Sequence, residues 1–265
     1  MIFDTHIHLN DDALLNDIDN LINNAKEKGV NKFLCVGFDI NSSKKAIELA
    51  NKYDCIYATI GIIPTEHKQY NENSIKELEE LLLTSNKIVA IGEIGLDYYW
   101  ENEPTIKNKQ KEMFIKQIEL ANKHNLPISI HCRDAIQDTF DILKEYKVNN
   151  KGIMHCYSGS LESAKEFIKL GYKIAFGGTL TFKNSIKSKE TLKGIPLTSI
   201  VFETDAPYLA PTPYRGKLNI PEYIYETVKY ASDLLNIDIN ELEEITYNNS
   251  LEILKLKWKE KLMHL

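Results

Sequence analysis

The sequence predicts an α/β protein, a single (β/α)8 TIM-type barrel with an extra C-terminal helix, as one domain over residues 1–265. Three observations lead there. Short apolar runs alternate with amphipathic stretches from end to end, the alternation repeats eight times, and 265 residues is close to the usual length of such a barrel.

Residues 2–7 (IFDTHI) read as the first strand, and a helical pattern over 13–28 follows it. That pattern stops at Gly29, a residue suited to the left-handed turn that ends a helix. The second unit is 32–37 (KFLCVG) with a helix over 43–52, and the third is 56–61 (IYATIG) with 74–85. Then come 88–93 (IVAIGE) with 106–124, 127–131 (PISIH) with 134–146, and 152–156 (GIMHC) with 160–170. The last two are 173–177 (KIAFG) with a helix near 184–193, and 199–204 (SIVFET) with 221–235. The additional helix, around 240–256, is expected to pack on the outside or base. Its basic end, Lys255 to Lys261 with Trp258, reads as solvated. The longest irregular stretch, from about Tyr208 to Pro221, follows the eighth strand, where barrel enzymes carry substrate-contacting loops.

Composition narrows the function. With 43% apolar and 26% charged residues, and no run long enough to cross a bilayer, no membrane partner is expected. A cleaved leader would remove His6 and His8, and the N-terminus lacks basic residues, so a cytoplasmic protein is expected. Cys35, Cys55, Cys132 and Cys156 form no C-x-x-C pair, and they read as reduced side chains rather than ligands. A net charge of −6 argues against wrapping a nucleic-acid backbone along a basic track. It leaves room for a locally held nucleic-acid substrate, because divalent cations in a cleft would invert the charge a phosphate meets. Among 32 basic residues only Arg133 and Arg215 are arginines, and arginine is the side chain whose planar fork matches a phosphate. No obligate protein partner is expected.

The acids and imidazoles at the ends of the runs carry the chemistry. His6 and His8, one residue apart, share a strand face and can grip one metal; alternatively they are two histidines that merely share that face. Asp4 has the same parity, as a buried acid behind them. Glu93 ends an apolar run, where a carboxylate is costly unless a cation neutralises it or it caps the next segment. His131 and His155 end successive strands in equivalent positions, which favours a shared ligand over two separate core histidines. Asp205 follows the eighth strand two residues after Glu203; it is a metal ligand and general-base candidate, with Glu203 behind it or assisting proton transfer. Arg133, two residues past His131, and Lys183, in the stretch GGTLTFKN, are candidate substrate contacts, against the plainer readings of an ion pair with Asp134 and a surface lysine.

Six motifs share one resemblance: DTHIHL at 4–9, GEIGLDYY at 92–99, HCRDA at 131–135, HCYSG at 155–159, ETDAPYLAP at 203–211 and RGK at 215–217. The chain resembles the TatD family of metal-dependent deoxyribonucleases over nearly its whole length. The resemblance implies two divalent ions, one on His6, His8 and Asp205, the other on His131 and His155, with Glu93 bridging. It also implies hydrolysis of DNA phosphodiester bonds, as trimming from a 3′ end, usually with magnesium, manganese or zinc. The family pattern after the third strand is commonly G-x-H-P, whereas this chain reads Gly61, Ile62, Ile63, Pro64. Ile63 cannot transfer a proton or bind an ion; His67, four residues on, is the nearest substitute.

The expected activity is therefore a divalent-metal-dependent deoxyribonuclease of the 3′–5′ exonuclease type. Two ions about 3.5–4 Å apart would generate a bridging hydroxide. Asp205 deprotonates the water, Glu203 assists, and Arg133, Lys183 and Arg215 contact single-stranded or end-bound DNA. The imidazole-rich set suits zinc, manganese or iron better than magnesium. Two rival expectations are a metal-dependent esterase or amidohydrolase, such as a deacylase of aminoacylated RNA, and a catalytically weakened binding protein.

Overall fold

Eight strands form one sheet in their sequence order: β1 (Ile2–Ile7), β2 (Val30–Val36), β3 (Ile56–Ile60), β4 (Ile88–Asp97), β5 (Ile128–Arg133), β6 (Gly152–Met154), β7 (Lys173–Phe176) and β8 (Ile200–Phe202). The computed structural model describes residues 1–256. Most of the basic end expected from Lys255 to Lys261, with Trp258, lies outside the described residues. The helices are α1 (Asp12–Leu15), α2 (Ile18–Glu27), α3 (Ile40–Lys52), α4 (Glu72–Leu82), α5 (Pro104–Lys123), α6 (Ile136–Glu145), α7 (Leu161–Lys169), α8 (Ile186–Gly194), α9 (Ile224–Leu235) and α10 (Ile239–Ile253). Among the described residues, no helix is long and apolar enough to cross a membrane.

Two compact units share this chain, Met1–Leu34 with the chain from Cys156 onward, and Cys35–His155. In the first, β1 lies beside β8. The Thr5 hydroxyl donates to Phe202 O at 2.9 Å, and Asp205 N donates to His6 O at 2.9 Å. The first and last strands of the order are thus neighbours, as closure of an eight-stranded sheet requires. Helix α10 serves the opening of β8: Asn249 Nδ2 donates to Leu197 O and Ile200 O, both at 2.8 Å.

In the second unit β3, β4, β5 and β6 pair in parallel. Helix α3 begins where sequence chemistry places a start. Asp39 accepts from Ser42 N at 2.6 Å while the Ser42 hydroxyl accepts from Asp39 N at 2.9 Å, a reciprocal cap. Asn71 and Ser74 do the same for α4. Helix α5 opens on Pro104, whose missing N–H is one the first turn would leave unbonded anyway.

Three departures from the sequence-based boundaries have local causes. The single helix expected over 13–28 is two, because Asn16 and Asp17 interrupt it: Asp17 turns its carboxylate to Asn20 Nδ2 at 2.6 Å instead of continuing the helix. Strand β4 runs on to Asp97, so Glu93 stands inside the strand rather than at its end. Four residues of β4, Ile91 to Ile94, face three of β5, Ile128 to Ile130, a bulge that contains Glu93. Strand β8 stops at Phe202, two residues early, because Thr204 gives its amide and its hydroxyl to the Asp4 carboxylate at 2.9 and 2.6 Å.

Candidate metal centre

In the first unit, the alternation of β1 turns His6 and His8 to one side, and their Nε2 atoms come within 3.3 Å of each other. Asp205 joins them from the far side of β8. Its backbone takes the left-handed conformation, φ 56°, and its Oδ1 lies 3.5 Å from His8 Nε2 and 3.9 Å from His6 Nε2. Two imidazole nitrogens and a carboxylate oxygen aimed at one point are a chelating set, and all three side chains are largely buried.

Asp4 supports this group from behind. Fully buried, it accepts from Thr204 N, the Thr204 hydroxyl and, at 3.3 Å, His6 N. Burial pushes its carboxyl up to about 8, against the lowering effect of those hydrogen bonds and with some help from the nearby charge of Glu203. Glu203 is also fully buried, and one of its carboxylate oxygens lies within 4.8 Å of a His6 ring nitrogen. Its Oε1 accepts from Cys156 N at 2.7 Å, fixing the turn that follows β6.

In the second unit, donor atoms of Glu93, His131 and His155 all lie within 4.8 Å of one another. His131 Nδ1 sits 2.9 Å from Glu93 Oε1, and His155 Nε2 lies 3.9 Å from the same oxygen. Position 97, which sequence reasoning passed over, completes the group: Asp97 Oδ2 is 2.9 Å from His131 Nε2. A signal was present, since Asp97 shares strand parity with Glu93 inside the quoted GEIGLDYY motif. Gly95 between them has φ 144°, and a Cβ there would stand 2.0 Å from His131 O, so only glycine lets β4 lie this close to β5.

Electrostatics follow from this crowding. Burial alone would lower the His131 imidazole, but its hydrogen bonds to Asp97 and Glu93 outweigh that and hold the ring at about 9. Burial raises Asp97, yet the His131 bond and charge, with the amides of Trp100 and Tyr99, leave it below the ordinary carboxylate value. Cys132 faces away, with Sγ 3.4 Å from Thr139 Oγ1 on α6, and burial pushes its thiol up to about 11.

The family described as TatD related DNase matches residues 3–255. The chain belongs to the TatD family. It is 42% identical over 257 residues to the metal-dependent hydrolase YabD of Bacillus subtilis (strain 168), covering 97% of this chain and all of that protein. It is 33% identical over 254 residues to the metal-dependent hydrolase YcfH of Escherichia coli (strain K12), covering 94% of this chain and 93% of the other. Its fold is that of YjjV, a TatD homologue from Escherichia coli K12 solved by crystallography, at a TM-score of 0.91 and 29% identity over 95% of this chain and 97% of that one. As a TatD protein it is a metal-dependent hydrolase on a (β/α)8 barrel.

The three candidate substrate contacts, Arg133, Lys183 and Arg215, lie on the surface. Arg133 is exposed, its guanidinium stacked 3.8 Å above the Tyr99 ring. Lys183 is exposed, and Arg215 lies over the Phe182 ring at 4.4 Å. The Tyr208–Pro221 stretch is held by buried Asn219, whose Nδ2 donates to Thr204 O at 2.8 Å and Tyr208 O at 2.6 Å. Gly178 admits that stretch, since a Cβ there would meet Leu209 O at 2.2 Å. Ile63, at the usual TatD histidine position, opens the 3-10 turn Pro64–Glu66, and buried His67 closes it.

Proposed function

We propose that this TatD protein is a deoxyribonuclease that hydrolyses phosphodiester bonds from the 3′ end of DNA with two divalent ions. His6, His8 and Asp205 hold one ion, and Glu93, His131 and His155 the other. The donor chemistry fits such a pair: four imidazoles and two carboxylates, in two chelating groups, suit zinc, manganese or iron better than an all-oxygen magnesium site. When bound, divalent ions at these groups lower the pKa of water and neutralise phosphate charge.

The chain's own side chains do the rest. Asp205 accepts the proton of the attacking water, for which its carboxylate stands beside the two β1 imidazoles. Glu203 holds Cys156 N and thereby positions the backbone that carries His155. Arg133 places N–H donors on the phosphoryl oxygens, and Lys183 and Arg215 contact the strand further out. The observation that carries the reading is the pair of imidazole–carboxylate clusters in a chain whose family is described as TatD related DNase.

A digestion time course on 3′- and 5′-end-labelled single- and double-stranded DNA, with zinc, manganese, iron or magnesium, tests it. Stepwise shortening from the 3′ end that a chelator abolishes is expected. Hydrolysis of carboxylic esters or amides, with DNA untouched under every metal, would replace the nuclease reading with an acyl hydrolase.

A further inference from the structure

We propose that Tyr99, Trp100 and Arg133 form a platform on which an unpaired nucleobase of the DNA substrate stacks beside the Glu93–His131–His155 cluster; this rests on the nuclease reading above. Tyr99 and Trp100 stand two and three residues past the end of β4 and are 53% and 66% exposed, although such rings are usually covered. They meet edge to face, with centroids 4.8 Å apart at 87°. Arg133, at the end of β5, lies 3.8 Å above Tyr99 and 5.5 Å from the Trp100 centroid. Among the described residues no carboxylate pairs with Arg133. With its face against Tyr99, its N–H edge remains for a phosphate oxygen.

The platform is tied to the metal cluster by a single carboxylate. Asp97 Oδ1 accepts from Tyr99 N at 3.0 Å and Trp100 N at 3.3 Å, while Oδ2 bonds His131 Nε2 at 2.9 Å. The pairing of β4 with β5 fixes the third member: Asp97 stands opposite Arg133, and Tyr98 N donates to Arg133 O at 2.9 Å. Two adjacent strand ends thus present aromatic faces and a planar cation within a few residues of His131. Stacking on aromatic rings binds any base, because every base has a π-face, and it favours unpaired strands whose bases are free to splay. A hydrolase that trims ends needs that kind of sequence-tolerant grip.

Steady-state kinetics on two single-stranded oligonucleotides test the inference, one with a normal 3′ terminus and one whose last nucleotides are abasic. Tyr99→Ala and Trp100→Ala should raise KM for the normal oligonucleotide roughly tenfold or more with kcat largely kept. Both should leave the abasic substrate nearly unaffected, and Trp100→Phe should restore binding. Separately from turnover, a 2-aminopurine at the 3′ end should lose fluorescence on binding the wild-type protein and not on binding Trp100→Ala. Unchanged KM and quenching in both variants, or equal losses on normal and abasic substrates, would overturn the platform. Absence of DNA cleavage under every metal, with quenching intact, would instead remove the nuclease reading and leave a nucleic-acid-binding surface.

Discussion

Asp97 and His131 meet through Oδ2 and Nε2 at 2.9 Å, so the imidazole that faces Glu93 with one nitrogen is gripped by a second carboxylate at the other. A ring bonded on both sides cannot rotate. On the proposed reading Nδ1 serves the ion together with Glu93 while Asp97 orients Nε2, the arrangement that fixes tautomer and raises basicity in metal-binding histidines.

Asp97→Asn should therefore lower metal retention by about 10–100-fold while the protein stays folded. In the metal-free protein the same change should bring the His131 titration down from about 9. The sign for stability is fixed: a histidine raised in the folded state stabilises below its unfolded value near 6.5, and that contribution disappears as pH climbs through about 9. Histidine NMR titrations and equilibrium dialysis of wild-type and variant protein check both. A variant that keeps the imidazole at its wild-type position and binds metal as well would show that the Asp97 contact is incidental.

Asp4 is raised as well, by burial rather than by a partner, and the sign of its pH dependence is the same. Its carboxyl, raised to about 8 by burial, favours the folded state most when protonated. Its contribution is complete below pH 3.8 and lost as pH rises through about 8. Asp4→Asn keeps an acceptor for Thr204 N, turns an amide N–H to the Thr204 hydroxyl and cannot ionise, so the metal-free variant should lose less stability than wild type between pH 5 and 8 on this scale. Chemical denaturation across that range reads the difference, and parallel curves for the two proteins would remove the assignment.

Much of this arrangement is legible in the chain. Eight apolar runs predict the eight strands in order, because most side chains buried in a sheet are apolar whatever their partner. His6 and His8 read correctly as one face because parity needs no tertiary information. What escapes is tertiary. The bulge at Gly92–Glu93 and the continuation of β4 to Asp97 depend on pairing with β5, and the run IVAIGE looks finished at its acid. Asp97 carries a parity signal in the sequence, but its bond to His131 depends on the same pairing. Arg133 reads as a phosphate contact or as a partner of Asp134 from its spacing and its planar fork; its stacking on Tyr99 needs the neighbouring strand end.

Helix α5 offers a test of how the loops behind the cluster are held. Gln110 and Gln117, two turns apart on one face and fully buried, each clamp a backbone. Gln110 bonds Asp97 N and O, both at 3.0 Å, and Gln117 bonds Ile62 N at 2.7 Å and Ile62 O at 2.9 Å. Replacing Gln117 with leucine leaves a buried N–H and C=O unpaired, at about 1–3 kcal/mol for each. Gln110→Leu should carry a similar stability cost and also reduce turnover, because it releases the residue that holds His131. Denaturation midpoints with parallel activity assays separate the two, and equal loss of activity in both variants would deny Gln110 any role beyond packing.

The most severe single change should be Asp205→Asn. Asparagine fills the same space and can keep a contact with His8 Nε2, now 3.5 Å from the carboxylate, so the thermal midpoint should move little. It cannot accept a proton, and it is a poorer metal ligand than a carboxylate. If Asp205 both holds an ion and takes the proton of the attacking water, turnover should fall by at least about 10²–10⁴-fold, the usual worth of a positioned base. Metal content measured beside kcat then divides the two roles. A variant that retains its metals and loses kcat assigns proton transfer to Asp205, whereas one that loses metal and regains activity at high metal concentration assigns it only the ligand role. Near-normal turnover with normal metal content would take Asp205 out of the reaction altogether.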